Sequence, residues 1–224
     1  MWCVAELDQD YVEKMEDVLA LYEKPLSKEE PVVCADEKAV SLHGEVREPM
    51  GMEPGRVARR DSEYERCGTA NIFCAVEPKA GVHFEQVTQT RAAHELAGFL
   101  KTMAEAYPEA KTIHLVMDNL NTHRRKALVD RYGEQEGTAL WNRFTVHYTP
   151  KHGSWLNQAE IEIGLLTRQC LGKRRLADLP RLRDEVLAWN QEANRQRLQI
   201  QWKFNRVKAR EKFRYDPVIS RSEH

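Results

Sequence analysis

No stretch of this 224-residue chain approaches the ~20 consecutive apolar residues that span a bilayer, and its first residues lack the basic-then-apolar pattern of a secretory signal. The sequence therefore reads as soluble and intracellular, with no membrane partner. Cysteine is scarce and unpaired in pattern: Cys3, Cys34, Cys67, Cys74 and Cys170 are odd in number and scattered, with no CxxC pair and no histidine spacing suited to zinc. A disulfide framework and a zinc finger are both excluded on that count, and reduced thiols of a cytoplasmic protein are expected. Internal repeats and low-complexity tracts are also missing. A net excess of either charge is lacking too, the formal total being −1, which disfavours a dedicated nucleic-acid-binding module. The distribution is uneven, however. Residues 1–30 carry nine acids and three bases, whereas residues 168–214 carry fourteen bases against five acids. The C-terminal third suits phosphates, and the N-terminal stretch does not.

What is present supports one good core: 42% of residues are hydrophobic and 31% charged. Apolar residues three and four apart at Tyr11, Val12, Met15, Val18, Leu19 and Tyr22 predict an amphipathic helix that Pro25 stops. Pro31 to Ala35 reads as a short buried strand, and 41–68 as a hairpin or extended loop. Thr69 to Val76 and Val82 to Thr88, separated by a turn ending at Gly81, predict two adjacent antiparallel strands. A helix over 91–107 ends at Pro108, and Lys111 to Met117 is a buried strand. A helix over 124–140 with a break at Gly133 follows, then a strand over 144–148. Ser154 is expected to cap a helix running to Leu171, and a last helix spans 178–198. The segmentation expected is a helical arm over 1–30, an α/β domain over 31–172 and a basic helical extension over 173–224.

Three acids stand out within this order. Asp36 closes the apolar run Val32-Val33-Cys34-Ala35, Asp118 closes Ile113 to Met117, and Glu160 lies in the helix after Ser154. A carboxylate at the end of a buried strand must be solvated, paired or bound to a cation, because a bare buried charge is costly. One such aspartate commonly just starts a turn, and Asp118-Asn119-Leu120-Asn121 is a turn-like string. Three converging carboxylates suit hard divalent cations, a pair of which can drive an in-line displacement at phosphorus. Helix geometry leaves the third acid open: at ~100° per residue the apolar stripe Leu156, Ala159, Ile163, Leu166 and Cys170 is flanked about equally by Glu160 and Glu162.

The strings Asp36-Glu37, Asp118-Asn119 with Asn121-Thr122-His123, and Thr149-Pro150 through Ser154-Trp155-Leu156-Asn157-Gln158-Ala159-Glu160 resemble the three acidic motifs of the DDE transposases, specifically the mariner-type superfamily in its bacterial insertion-sequence branch. Tyr64-Glu65-Arg66, Gly68 to Asn71, Trp202 and Ala209-Arg210 are similar to further segments of that branch, and the likeness runs from about Tyr11 to Phe213. The resemblance selects Glu160 as the third acid. It implies a ribonuclease H-like α/β fold, a five-stranded mixed sheet flanked by helices with an N-terminal helix and a C-terminal helical extension, and the element order read above agrees with it. It further implies two Mg²⁺ or Mn²⁺ ions held by Asp36, Asp118 and Glu160. The implied activity is hydrolysis of double-stranded DNA at transposon ends and strand transfer to target DNA, typically at TA, by a homodimer assembled on DNA. The helix-turn-helix modules that read transposon ends in full transposases of this type have no counterpart before the first strand here.

Basic and aromatic residues near these motifs are candidates for DNA contact: Arg124, Arg125, Lys126, Lys151, His152, Trp155, Lys173, Arg174, Arg175, Lys203, Arg206, Lys208 and Arg210. Cations at a helix N-terminus, as at Arg124 to Lys126, are unfavourable without an anionic partner, which favours phosphate. Lys173 to Arg175 after Gly172 equally fit a cluster satisfying a helix C-terminus. His123 and His152 can touch phosphate or orient water, although a loop histidine is usually just solvated. Trp155 and Tyr148 can stack on an unpaired base or belong to the core beneath the third motif. The alternative to an enzyme is a catalytically silent ribonuclease H-like module for DNA binding or dimerisation. A nuclease for RNA–DNA hybrids shares the fold logic and is disfavoured by the Leu156 to Glu160 string.

Overall fold

The computed structural model describes residues 7–118 and 125–216. Helix α1 (Gln9–Glu23) precedes three antiparallel strands, β1 (Val32–Glu45), β2 (Tyr64–Glu77) and β3 (Val82–Thr88), and then helix α2 (Ala93–Ala106). Strand β4 (Ile113–Met117), helices α3 (Arg125–Tyr132) and α4 (Glu134–Trp141), and strand β5 (Phe144–Tyr148) follow. A 3-10 turn at Ser154–Leu156 leads into α5 (Ala159–Leu166), which widens into a π turn at Thr167–Leu171 before α6 (Leu179–Gln196) and α7 (Arg206–Phe213). The sheet order is β3-β2-β1-β4-β5, with β4 parallel to β1 and β5 parallel to β4. The mixed five-stranded sheet flanked by helices is therefore the architecture expected. No helix among the described residues is long and apolar enough to cross a membrane.

The strands alternate cleanly between two cores, as a period of two requires. Val33, Ala35, Phe73 and Ala75 face α2 and α3, where Phe99, Leu100, Met103 and Leu128 are buried. Cys34, Val76 and Val116 face the opposite side with α1 and the 3-10 turn, while Ile72, Cys74 and Val87 meet the end of α5, the π turn and α6. Helix α6 shields the edge of the sheet: Asn190 and Asn194 Nδ2 donate to the His83 carbonyl at 3.1 and 2.9 Å, and the His83 N–H donates to Asn194 Oδ1 at 3.0 Å. Those bonds occupy backbone groups that an exposed strand would offer to another chain.

Three local expectations change. Strand β1 is longer than the apolar run suggested, because it stays paired with β2 to Glu45 through a register shift between Leu42 and His43, so the connection to β2 begins only after residue 45. A further helix, α7, follows the helix expected to be the last, because Asn205 caps a new turn by accepting the Lys208 N–H, while Gly133, at φ +83°, supplies the expected break between α3 and α4. Ser154 does not cap α5; the Ala159 N–H instead donates to Asn157 Oδ1 at 3.1 Å, because the 3-10 turn intervenes.

Helix α1, whose N-cap Asp8 accepts the Tyr11 N–H at 2.7 Å, is packed onto the sheet. Met15, Val18 and Leu19 are fully buried, and Tyr22 Oη donates to the Leu156 carbonyl at 2.7 Å. A polar chain runs along the same contact: Lys24 Nζ lies 3.1 Å from His114 Nε2, His114 Nδ1 lies 3.0 Å from His147 Nε2, and His147 Nδ1 lies 2.6 Å from Asp17 Oδ2. Arg206 and Arg210 of α7 pair with Glu23 and Glu16 of α1, at 2.7 and 2.6 Å.

Leu19→Ala is expected to destabilise the protein by about 2–5 kcal/mol, the usual result for a fully buried leucine. Urea denaturation reads this, and a change within about 0.5 kcal/mol would instead make α1 a detachable arm. Burial, then the charges of Lys24 and His147, hold His114 below the ordinary histidine range, against the weaker pull of Glu30. The unfolded chain takes up this proton first, so the contribution of His114 is complete above the unfolded value of about 6.5 and lost as pH falls below it. His114→Gln should flatten stability against pH between about 7 and 5; an unchanged slope would assign that loss to other groups.

Candidate active site

Asp36 lies in β1 and Asp118 directly follows β4. The two strands are parallel, with Cys34 opposite Val116 as the last paired position. Each aspartate is two residues further on, so the pleat points both side chains to the face shared by Cys34 and Val116. Strand β4 stops there, so Asp118 stands at its carboxyl end, whereas β1 runs on past Asp36 to Glu45, so Asp36, expected at a strand end, lies inside its strand where the pairing with β4 ceases.

Helix α5 crosses this face and settles which of its glutamates approaches. Glu162 is fully buried against His83, with Glu162 Oε1 2.6 Å from His83 Nδ1. Glu160 is exposed, and its charge, with those of Glu37 and Asp118, acts on Asp36. Burial first, and then this crowding, pushes the Asp36 carboxyl up to about 7, against a 2.8 Å hydrogen bond donated by the Glu37 N–H to Asp36 Oδ1. Asp36 with the carboxylates of Asp118 and Glu160 acting on it offers a donor set suited to hard divalent cations, which favour oxygen and relieve the crowding at Asp36. Asp36, Asp118 and Glu160 thus fit the metal ions that the resemblance implies.

Asn157 holds the arrangement. Its Nδ2 donates to the Ala35 carbonyl at 2.9 Å and to Asp36 Oδ2 at 3.3 Å, while its Oδ1 accepts the Ala159 N–H. One buried amide therefore joins the end of β1 to the start of α5. Leu156, fully buried beside it, is fixed through its carbonyl by Tyr22. In sequence Asn157 was visible only as part of a motif, because both of its strand partners are more than a hundred residues away.

The other candidates are dispersed. His123 and Arg124 lie outside the described residues. Lys151 and His152 occupy an exposed turn just before the third motif, His152 at φ +64°. Trp155 packs into an aromatic cluster, with ring centroids 5.4 Å from Phe204 and 6.1 Å from Phe213, and its indole N–H donates to Tyr11 Oη at 3.1 Å. Arg125 is bonded to Glu134 and Thr138, and Lys126 to Asp130. Arg174 bonds the Cys170 carbonyl and Glu185, while Arg175 bonds Glu45 and the carbonyls of Asp61 and Glu63. Lys208 Nζ donates to the Lys203 carbonyl. Arg206 and Arg210 face the acids of α1, an arrangement that charge segregation along the sequence favours without any nucleic acid.

A family profile described as DDE superfamily endonuclease matches residues 31–183. Among solved structures, the fold is similar to "Crystal structure of the Mos1 mariner paired end complex with Mn", with TM-score 0.56, 17% identity, and coverage of 88% of this chain and 61% of that one. It is also similar to "Crystal structure of the Mos1 Strand Transfer Complex", with TM-score 0.57, 16% identity, and 88% and 60% covered. A third, "Crystal structure of a pre-cleavage Mos1 transpososome", gives TM-score 0.54 and 13% identity, with 91% and 67% covered. The chain thus spans about three fifths of the length of the first of these structures. No curated protein matches the sequence.

Asn157→Ala should cost about 1–3 kcal/mol, through a lost cap and buried groups left without partners. Asn157→Asp, which keeps an acceptor for Ala159 but sets a fourth acid against Asp36, should cost more. Chemical denaturation of both variants at neutral pH checks this; wild-type stability in each would show that the amide clamps nothing.

Proposed function

Because the chain belongs to the DDE superfamily of endonucleases, we propose that it is the catalytic domain of a mariner-type transposase of the bacterial insertion-sequence branch. In this reading it cleaves double-stranded DNA at transposon ends and transfers the freed strand to target DNA at TA, acting in the cytoplasm on the nucleoid as a DNA-bound homodimer. What supports the reading is that the charges of Asp118 and Glu160 both act on Asp36, with Asp36 and Asp118 each two residues beyond the last paired position of two parallel strands and Glu160 on the helix laid across them.

On this reading Asp36, Asp118 and Glu160 would hold the two Mg²⁺ or Mn²⁺ ions, Asp36 contributing to both and Asp118 and Glu160 to one each. Two such cations, when bound, supply the Lewis acidity that activates a water or 3′-hydroxyl and stabilises the leaving oxygen. The chain's own part is positional. Asn157 fixes the Asp36 carboxylate, and Tyr22, through the Leu156 carbonyl, fixes the entry to α5 and hence Glu160. Lys151 and His152, on the exposed turn leading to the third motif, are placed to meet backbone phosphates, contacts that set register without reading sequence. Lys173 and Lys203, both exposed, extend the basic surface, and Arg124 to Lys126 follow the second motif in sequence. The arginines already paired to α1 serve folding first, so their share in DNA affinity is the smaller one. An intact donor set and an intact amide clamp favour an active enzyme over a silent binding module.

Nicking of supercoiled plasmid at low salt tests the reading. The wild type should nick with Mn²⁺ or Mg²⁺ and not with EDTA, and Asp118→Asn should lose about 10³-fold in rate, the several kcal/mol that a misplaced cation forfeits, at an unchanged melting temperature. Equal nicking by the variant, or by the wild type in EDTA, would sink the proposal.

A further inference from the structure

Behind Glu160 lies a second set of ligand-type side chains that the proposed DNA chemistry does not use. His83 and Glu85 are two apart on β3, so both project to the face covered by α5, and Glu162 reaches them from that helix. One ligand atom from each lies within 4.8 Å of the others. Asp36, Cys74 and Glu85 are neighbours in one row across β1, β2 and β3. Helix α5 lies over this row, with Glu160 acting at the Asp36 end and Glu162 at the Glu85 end.

The second set is sealed from water. His83 is 3% exposed and Glu162 is 0% exposed. Beyond the 2.6 Å contact between His83 Nδ1 and Glu162 Oε1, Glu162 Oε2 and both carboxyl oxygens of Glu85 are buried with no hydrogen-bond partner. Two carboxylates confined together beside one imidazole are costly, and an added positive charge between them removes the cost. The donor chemistry narrows the choice. One imidazole nitrogen with two carboxylate oxygens suits zinc-class ions, whereas Mg²⁺ and Ca²⁺ favour oxygen alone. Bond lengths of about 2.0–2.2 Å to zinc place tetrahedral ligand atoms roughly 3.3 Å apart, which falls between the 2.6 Å contact and the 4.8 Å bound of this cluster.

We propose that His83, Glu85 and Glu162 form a buried binding site for a single zinc-class divalent cation, separate from Asp36, Asp118 and Glu160, which ties β3 to the helix that presents Glu160. The role is structural: three protein ligands, with a water completing four-coordination, would hold α5 against β3 beyond the Asn157 clamp at the start of the helix. His83 is itself held by the α6 amides on its backbone and by the Trp189 ring, 6.1 Å from its own. Nothing in the sequence signals such a site in the way paired cysteines do, since its only local mark is a His-x-Glu step on a strand.

The test uses the Asp36→Asn/Glu160→Gln chain, so that cations at the proposed catalytic acids do not contribute. The protein is stripped with EDTA, loaded with Zn²⁺, desalted, and its bound zinc counted by atomic emission. One zinc per chain with a raised melting temperature is expected, with no such rise in Mg²⁺, and addition of the isosteric Glu85→Gln should abolish both. No retained zinc, or retention indifferent to Glu85→Gln, would overturn the site and leave a proton shared between the two carboxyls. Should the triple variant fail to fold, anomalous scattering from zinc-soaked wild-type crystals decides: a peak between His83, Glu85 and Glu162 supports the site, and a peak only at Asp36 and Asp118, or none, overturns it. Plasmid nicking in Mg²⁺ is scored separately, so loss of the zinc site and loss of the transposase reading remain distinguishable.

Discussion

The parallel pairing of β1 with β4 is the constraint on which the rest depends. It sets Cys34 opposite Val116 and therefore brings Asp36 and Asp118 abreast, where the pairing of the two strands ceases. Carboxylates so placed repel, and burial adds to the penalty on Asp36. The hydrophobic sheet supplies the energy to hold them: side chains such as Val33, Leu115 and Val116 are fully buried, each contributing about 1.5–3 kcal/mol. A catalytic centre of this kind is a local electrostatic cost offset by apolar packing on both sides of the sheet.

Helix α5 carries the second half of the design. It is held at its start by Asn157 and, through Leu156, by Tyr22, and along its length by the contact of Glu162 with His83. Successive acids on one helix thus take opposite roles. Glu160 remains exposed beside Asp36, while Glu162 is withdrawn into the protein. A helix two residues out of phase would exchange them, so the fit of Leu156, Ala159 and Leu166 into their cores is as much a part of the site as the acids.

Charge segregation along the chain has a structural use as well as a surface one. The acids of α1 meet the basic helix α7, with Arg206 and Arg210 each bonded through two guanidinium nitrogens to one glutamate. Such pairs are geometrically specific, and being partly exposed they contribute modestly to stability. They fasten the end of the chain over the aromatic cluster of Trp155, Phe204 and Phe213.

Much of this was legible beforehand. Apolar runs bounded by Gly and Pro placed all five strands, and the three-and-four spacing placed the helices before α7, because both patterns reflect local backbone geometry and the need to bury one face. The strand-end position of Asp118 was readable for the same reason, whereas Asp36, which closes an apolar run, lies inside β1. The extension of β1 to Glu45 was not, since pairing with β2 rather than apolar content sustains it, and the cap of α5 was misplaced because a 3-10 turn leaves no local signature. By itself, then, the sequence determined the order of elements up to α6, the two apolar faces and the acids that close the apolar runs. Only the tertiary structure decided that Glu160 rather than Glu162 approaches Asp36, that Arg206 and Arg210 answer to α1, and that His83, Glu85 and Glu162 meet. Periodicity says which stripe of a helix is buried, whereas its rotation and height over a sheet are set by contacts between residues tens to well over a hundred positions apart.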